Sequence, residues 1–242
     1  MSADEEIVKA IAKQLPVKAA YTDAIKPAAK QLGHLGEDIL KALRLALFPV
    51  TVAAGLHDRF ERFVKHAVAR IPEKKRVSPA PQIVGPVLEG VRYEPEGTTI
   101  DQMFSQLLSA SMDSDRLKDA HPSFPMIIKQ LSSDEAKILN SMFASGEQPK
   151  LIQIFQLRGG LAITSTERND LPVTGLDFPE NLSMYTDRLE RLGLIRFHAE
   201  KPMEPIVSSD GHQVGGRNFL ICKFTEVGEA FMRACSPERT GP

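Results

Sequence analysis

The stretch LSMYTDRLERLGLIRF, residues Leu182 to Phe197, changes its structural period in the middle and so decides the fold on both sides. Its first half repeats apolar residues at three- and four-residue steps, which predicts one buried stripe along a helix. The residues of this stripe are Leu182, Tyr185, Leu189 and Leu192. Gly193 lacks a Cβ and can take the left-handed conformation that ends a helix, so residues 194–197 are predicted to continue as a short strand.

The segment after this stretch completes a small domain. Phe219–Phe224 is rich in apolar residues and is predicted to be a second strand, and Thr225 is predicted to cap a last helix. Residues 198–218 between the strands are polar and contain prolines and the pair Gly215-Gly216, interpreted as a turn. They are predicted to be a long loop, either a mobile wing or a binding loop. The order helix, strand, loop, strand, helix is similar to winged-helix domains.

Upstream of this domain the apolar residues recur with helical spacing. The longest predicted helix covers residues 50–70, and Thr98 or Thr99 is predicted to cap a helix that ends at Ser111. Gly85 and Gly90 lie in another helical stripe, which predicts close backbone packing there.

The predicted fold is therefore mainly α, in three parts. Residues 1–36 form a helical arm, residues 37–131 a helical bundle, and residues 132–242 an α+β winged-helix-like domain. The last part opens with Ser132 and Glu135, which match the capping-box pattern at a helix start. Residues 151–157 and 161–164 within it are predicted to be short strands.

Composition limits the classes of function. The chain has 242 residues, 42% of them hydrophobic and 25% charged, as in ordinary globular proteins. Its 30 basic and 31 acidic residues nearly cancel, which argues against a nucleic-acid-binding protein that relies on overall positive charge. The residues from Ser132 onward are the acidic half, with 12 basic and 15 acidic side chains.

The sequence also predicts a cytoplasmic protein without a membrane span. Cys222 and Cys235 are too few for a disulfide framework, which is typical of a reducing compartment. Acidic residues 4–6 stand where a signal peptide would be basic. The longest apolar run, Leu45–Leu56, is shorter than the roughly 20 residues of a spanning helix.

The middle of the chain resembles the bacterial abortive infection alpha family, Abi-alpha. The resemblance lies in QIVGPVLEGVRYEPEGTTIDQMFSQLLSASMDSD, HPSFPMIIKQLSSDEAKIL and, further upstream, ALFPVTVAAGLHDRFERF. It extends over roughly Glu37 to Cys235. The resemblance implies a bacterial cytoplasmic protein connected with phage defence, and it brings no catalytic residues to positions of this chain.

Two arginine–histidine pairs resemble the motif of HEPN-type defence ribonucleases, in which the histidine follows the arginine after four to six residues. Such a cation would hold the phosphate and the imidazole would assist proton transfer. Arg59 with His66 and Arg116 with His121 have this spacing. The residue after each arginine is apolar here, Phe60 or Leu117, whereas a polar residue is common in that group. A ribonuclease therefore remains one alternative.

A second alternative is a DNA-binding regulator. In a MarR-like winged helix, the helix before Gly193 would enter the major groove, where arginines contact bases and phosphates. The candidate residues for nucleic-acid binding are Arg188, Arg191, Lys201 and Arg217. The acidic Asp187 and Glu190 on the same helix oppose this function because they weaken attraction to phosphates.

The preferred hypothesis is a non-enzymatic interaction or regulatory protein whose partner is a protein. Phosphate-loop, nucleophile-elbow and zinc-protease motifs are absent from the sequence. We therefore predict no catalytic residue, no metal and no cofactor, with DNA as a possible partner and the oligomeric state left open.

Overall fold

A computed structural model describes residues 54–157 and 161–237, which belong to two compact units that divide between Lys129 and Gln130. The predicted arm, residues 1–36, and the first part of the predicted bundle, residues 37–53, lie outside the described residues. None of the helices within the described ranges is long and apolar enough to cross a membrane.

The first unit is helical and is organised around its third described helix. Its helices are α1 (Ala54–Ala69), α2 (Pro81–Val91), α3 (Thr99–Ser111) and α4 (Phe124–Ile128), with short 3-10 turns at Glu73–Lys75 and Leu117–Asp119. Helix α3 packs against α1, α2 and α4, and every residue from Met103 to Ser111 is buried. This helix is therefore the core of the unit.

Helix α3 is fixed at both its start and its middle. The Thr98 hydroxyl accepts a hydrogen bond from the backbone N–H of Asp101, so Thr98 is the cap. Gly90 of α2 lies against the ring of Phe104, where a Cβ would come within 2.3 Å of the ring carbon Cζ. The predicted close packing is confirmed at Gly90, whereas a Cβ at Gly85 would meet nothing within 4 Å.

In its described residues, 130–157 and 161–237, the second unit combines three α-helices with one antiparallel sheet. Its elements are α5 (Ser133–Ser145), β1 (Lys150–Leu157), β2 (Leu161–Asn169), α6 (Leu182–Arg191), β3 (Ile195–Val207), β4 (Gln213–Phe224) and α7 (Glu226–Cys235). The strand order in the sheet is β2-β1-β4-β3. A 3-10 turn, Pro179–Asn181, directly precedes α6.

The predicted helix ends of this unit are confirmed. Ser132 and Glu135 form both hydrogen bonds of the capping box at the start of α5. Gly193 has φ +71°, and the Leu194 N–H bonds to the Leu189 carbonyl oxygen at 3.0 Å, which closes α6. The Thr225 hydroxyl accepts from the Gly228 N–H and caps α7. Local sequence signals therefore determine where these helices begin and end.

The predicted fold class, mainly α, is wrong, because a four-stranded antiparallel sheet makes this an α+β protein. The predicted loop 198–218 is also wrong, since β3 and β4 cover all of it except the turn at residues 208–212. Strand β3 lies at the edge of the sheet, where prolines such as Pro202 and Pro205 are tolerated. The pair Gly215-Gly216 lies within β4 and is not a turn.

Candidate functional site

The arginines of α6 differ in what they contact. Arg188 donates from Nε to Oε1 of Glu135 at 2.6 Å and from Nη2 to the Gln130 carbonyl oxygen at 2.6 Å. The Glu135 side chain is 0% exposed, so Arg188 neutralises a buried carboxylate. Arg191, the last residue of α6, is exposed. Arg188 and Arg191 are the two candidates on this helix for contacting DNA. Arg188 has a structural role within the protein, whereas Arg191 is exposed.

The start of α6 is anchored by the buried carboxylate of Asp134. Its oxygens accept from the backbone N–H groups of Asp177 and Phe178, at 2.8 and 2.9 Å, and from the Tyr185 hydroxyl at 3.1 Å. The Nζ of Lys137 lies 3.2 Å from Oδ1 of Asp134. Burial alone would raise the pKa of the Asp134 carboxyl, but these hydrogen bonds outweigh it and lower the pKa to about 2. The segment that leads into α6 is therefore held in one conformation.

The remaining two candidates lie on one face of the sheet and are paired with carboxylates. Arg217 contacts Glu167 at 2.7 Å and Glu204 at 3.5 Å. Lys201 contacts Glu204 at 2.6 Å, and its ammonium lies 3.6 Å from the centre of the Phe219 ring. This face is an ion-paired surface, in which each cation already has an intramolecular anion.

The second ribonuclease-like pair, Arg116 and His121, surrounds the 3-10 turn Leu117–Asp119. His121 is exposed, with its Nδ1 2.7 Å from the Ser123 hydroxyl and 3.2 Å from the Ser123 backbone N–H that donates to it. The charge of Arg116 acts on Arg70, which directly follows α1. His121 is thus bonded to Ser123, close to it in sequence.

Arg59 and His66, the first pair, line one cavity between α1 and α3. Its volume is about 250 Å³. We call it the α1–α3 cavity, and its lining residues are Arg59, Phe63, His66, Arg70, Glu96, Gly97, Asp101, Gln102 and Ser105. Residues 59, 63, 66 and 70 are spaced by four, three and four, which places them on one side of α1. This cavity is the candidate functional site of the helical unit.

Polar contacts fix the walls of the cavity. Arg59 Nη2 lies 3.4 Å from Oδ1 of Asp101, whose other oxygen accepts from the Gly97 N–H at 3.0 Å. Arg70 Nη1 donates to the Ser105 hydroxyl at 2.7 Å. Burial, and then the charge of Arg116, lowers the pKa of the Arg70 guanidinium. The cavity therefore combines two arginines, one histidine, two carboxylates and further hydrogen-bonding groups.

The comparisons with known proteins identify a family. The model of the Abortive infection alpha (Abi_alpha) family matches residues 54–235. The chain belongs to this family. It is thus a protein of the abortive-infection type, and the resemblance recognised in the sequence is confirmed.

No curated protein and no solved structure matches this Abi-alpha chain. The winged-helix resemblance therefore stays a prediction. In the described residues, 54–157 and 161–237, no group of three or more His, Cys, Asp or Glu side chains is arranged to hold a metal ion.

Among the cavity residues that sequence reasoning missed in this family member are Arg70, Asp101, Gln102 and Ser105. Arg70 had a signal, because it stands four residues after His66 on the same side of a helix. The other three lie on α3, and their position opposite α1 follows only from how the two helices pack. A search for one spacing pattern along the chain could not bring the two helices together.

Proposed function

We propose that this abortive-infection protein is a non-enzymatic interaction or regulatory protein whose partner is another protein, bound at the N-terminal end of α6. Phe178 and Met184 support this proposal, since they lie on either side of the start of α6 and are 59% and 49% exposed. Large apolar side chains in contact with water are favourable contacts for a protein partner.

The observation that carries the proposal is the anchoring of this apolar pair. Asp134 binds the Phe178 backbone N–H and the Tyr185 hydroxyl, so exposed Phe178 and Met184 are presented from a rigid support. Binding to a preorganised surface loses less conformational entropy than binding to a flexible one. A structure that only needed a stable helix start would gain nothing from leaving both side chains in water.

DNA binding is the weaker alternative for the same helix. A groove-reading helix needs free donors and cations. Here Arg188 is bonded to Glu135 and Gln130, and Asp187 is exposed beside it. The partner that best matches an apolar pair with charges of both signs is therefore a protein.

A photo-crosslinking amino acid introduced at Met184 tests this proposal in phage-infected bacteria. The matched control carries it at Val227 of α7, an apolar residue of similar exposure, 50% against 49%. We expect an adduct at position 184 that protease destroys and nuclease leaves intact, and no such adduct at position 227. A nuclease-sensitive adduct at position 184, or equal adducts at both positions, would overturn the proposal.

A ribonuclease is the second candidate, because Arg59 and His66 line the same cavity. An arginine beside an imidazole can hold a phosphate and transfer a proton. Purified protein should then cleave RNA, and His66→Ala should abolish cleavage while His121→Ala serves as the comparison. Cleavage undiminished by both substitutions would eliminate these residues as catalysts.

A further inference from the structure

We propose that the α1–α3 cavity binds a phosphate group, either as inorganic phosphate or as a phosphate monoester. The proposal does not depend on the protein contact at α6. It rests on the cationic side chains that point to one cavity, on the way nearby carboxylates are already used, and on the size of the cavity.

The balance of charge in the cavity favours an anion. Two carboxylates line the cavity, Glu96 and Asp101. Glu96 forms an ion pair with Arg62, which is not a lining residue, and the Arg62 Nη2 lies 3.0 and 3.2 Å from the two carboxylate oxygens of Glu96. Among the lining residues, Asp101 is then the carboxylate that remains to neutralise Arg59 and Arg70. Positive charge therefore exceeds the negative charge available to neutralise it.

Arg59 has donor capacity that the protein does not use. Its side chain is 15% exposed, and its Nε is buried without a hydrogen-bond partner. The contact from its Nη2 to Asp101 is long, at 3.4 Å. A buried donor without an acceptor is costly, and a bound oxyanion would supply one. A guanidinium binds phosphate through two parallel N–H groups, and the unbonded Nε of Arg59 together with its weakly bonded Nη2 could form such a pair.

Arg70 extends the same cationic wall. One of its guanidinium nitrogens donates to the Ser105 hydroxyl at 2.7 Å, which fixes the side chain in place. Burial, and then the charge of Arg116, lowers the pKa of the Arg70 guanidinium. A phosphate bound in the cavity would supply an opposite charge to Arg59 and Arg70, since both line the cavity and each phosphate oxygen accepts several hydrogen bonds.

Size selects a small ligand. The volume of about 250 Å³ lies below the range of roughly 300–1,000 Å³ that is usual for drug-sized ligands. The ring of Phe63 supplies one apolar wall, and Gln102 donates to the Gly97 carbonyl oxygen at 3.2 Å, which holds the loop at the rim. A phosphate group with little else attached fits this volume, whereas a long polyanion could enter only by its end.

Equilibrium dialysis of the full-length protein against labelled inorganic phosphate tests the proposal, with adenosine 5′-monophosphate as the second probe. We expect saturable binding of one phosphate per chain. Arg59→Gln and Arg70→Gln should each weaken binding about tenfold or more, because each removes charged hydrogen bonds. Tighter binding of the nucleotide would identify a phosphate monoester as the ligand, and tighter binding of inorganic phosphate would identify the free ion.

The matched control is Arg92→Gln, which makes the same change on a cation that lies over the Tyr93 ring and outside the cavity lining. Its phosphate binding should equal that of the unaltered protein. Asp101→Asn should bind phosphate several-fold more tightly, because it removes the carboxylate that competes for Arg59 while keeping an acceptor for Gly97. A gain of this kind cannot result from misfolding.

Two results would overturn the proposal. The first is the absence of saturable binding of either probe to the unaltered, folded protein. The second is a loss of binding in Arg92→Gln equal to the loss in Arg59→Gln, since that would indicate non-specific attraction to surface charge. Circular dichroism of each variant establishes that it is folded before its binding is compared.

Discussion

The Arg188 guanidinium donates from Nε to the buried Glu135 carboxylate at 2.6 Å, and this contact joins the start of α5 to α6. Glu135 also accepts from the Ser132 N–H at 2.7 Å within the capping box. One carboxylate therefore caps the start of its own helix, α5, and also binds the neighbouring helix, α6. Arg188 is for this reason a structural residue, although the sequence made it a candidate for contacting DNA.

Arg188→Ala should lower the free energy of unfolding by about 1–3 kcal/mol, the cost of leaving a buried acceptor without its partner. Chemical denaturation followed by circular dichroism measures this change. Arg191→Ala is the control on the same helix, because Arg191 is exposed, and it should change stability by no more than about 0.5 kcal/mol. Equal effects of the two substitutions would contradict the structural role of Arg188.

The structural role of Arg188 also affects how a test of DNA binding must be designed. A variant that loses DNA binding through Arg188→Ala could simply have lost its fold. Arg191→Ala isolates the question, since it removes an exposed cation at the end of the helix without breaking a buried ion pair.

Asp134 makes the stability of the second unit depend on pH. The pKa of its carboxyl falls from the usual 3.8 to about 2, so its stabilising effect is fully present above about pH 4 and is lost as the pH falls towards 2. Asp134→Asn should lower the free energy of unfolding by about 1–3 kcal/mol near neutral pH, because the N–H groups of Asp177 and Phe178 and the Tyr185 hydroxyl lose a charged acceptor.

Urea denaturation at a series of pH values measures this dependence. The unaltered protein should lose stability between pH 4 and 2, and Asp134→Asn should lose less over the same interval. Asp187→Asn replaces an exposed carboxylate on α6 and should leave the dependence unchanged. The same slope in the unaltered protein and Asp134→Asn would contradict the assignment.

The parts of the fold that the sequence predicted are those determined by neighbouring residues. The capping box at Ser132 and the left-handed Gly193 depend on a few adjacent positions, and both are confirmed. The start of strand β3 was predicted as residues 194–197, but its continuation to Val207 was missed, because an edge strand with prolines and exposed side chains lacks the apolar alternation that indicates a strand.

Strand β4 was missed at Gly215 and Gly216 for a related reason. Glycines in a polar segment are typical of a turn. Here a Cβ at Gly215 would lie 2.3 Å from the Phe155 carbonyl oxygen, and one at Gly216 would lie 2.5 Å from the Phe155 ring. These glycines are required by the neighbouring strand β1, which is distant in sequence. The α1–α3 cavity escaped prediction likewise, since Asp101 and Ser105 meet Arg59 and Arg70 only after the helices pack.

Gly90 and Gly85 of α2 give a matched test of close packing. Gly90→Ala should lower the free energy of unfolding by about 1–3 kcal/mol, because its Cβ would overlap the Phe104 ring. Gly85→Ala should lower it less, since no atom of another element lies within 4 Å of a Cβ there and only the ring of the following Pro86 opposes it. Thermal or chemical denaturation distinguishes the two. A stabilising Gly90→Ala would show that α2 and α3 are not packed as described.

The ion-paired sheet face leads to the last prediction. Glu167→Gln combined with Glu204→Gln should strengthen non-specific binding to duplex DNA at low salt, because it releases Arg217 and Lys201 from their anions. Glu147→Gln with Glu226→Gln is the control, with the same change in net charge on exposed residues outside the strands. A gel-retardation titration at several salt concentrations measures both. Each released cation that contacts a phosphate should steepen the dependence of log affinity on log salt concentration by about one unit. Equal gains in affinity in the two variants would mean that net charge, rather than ion pairing on this face, limits DNA binding.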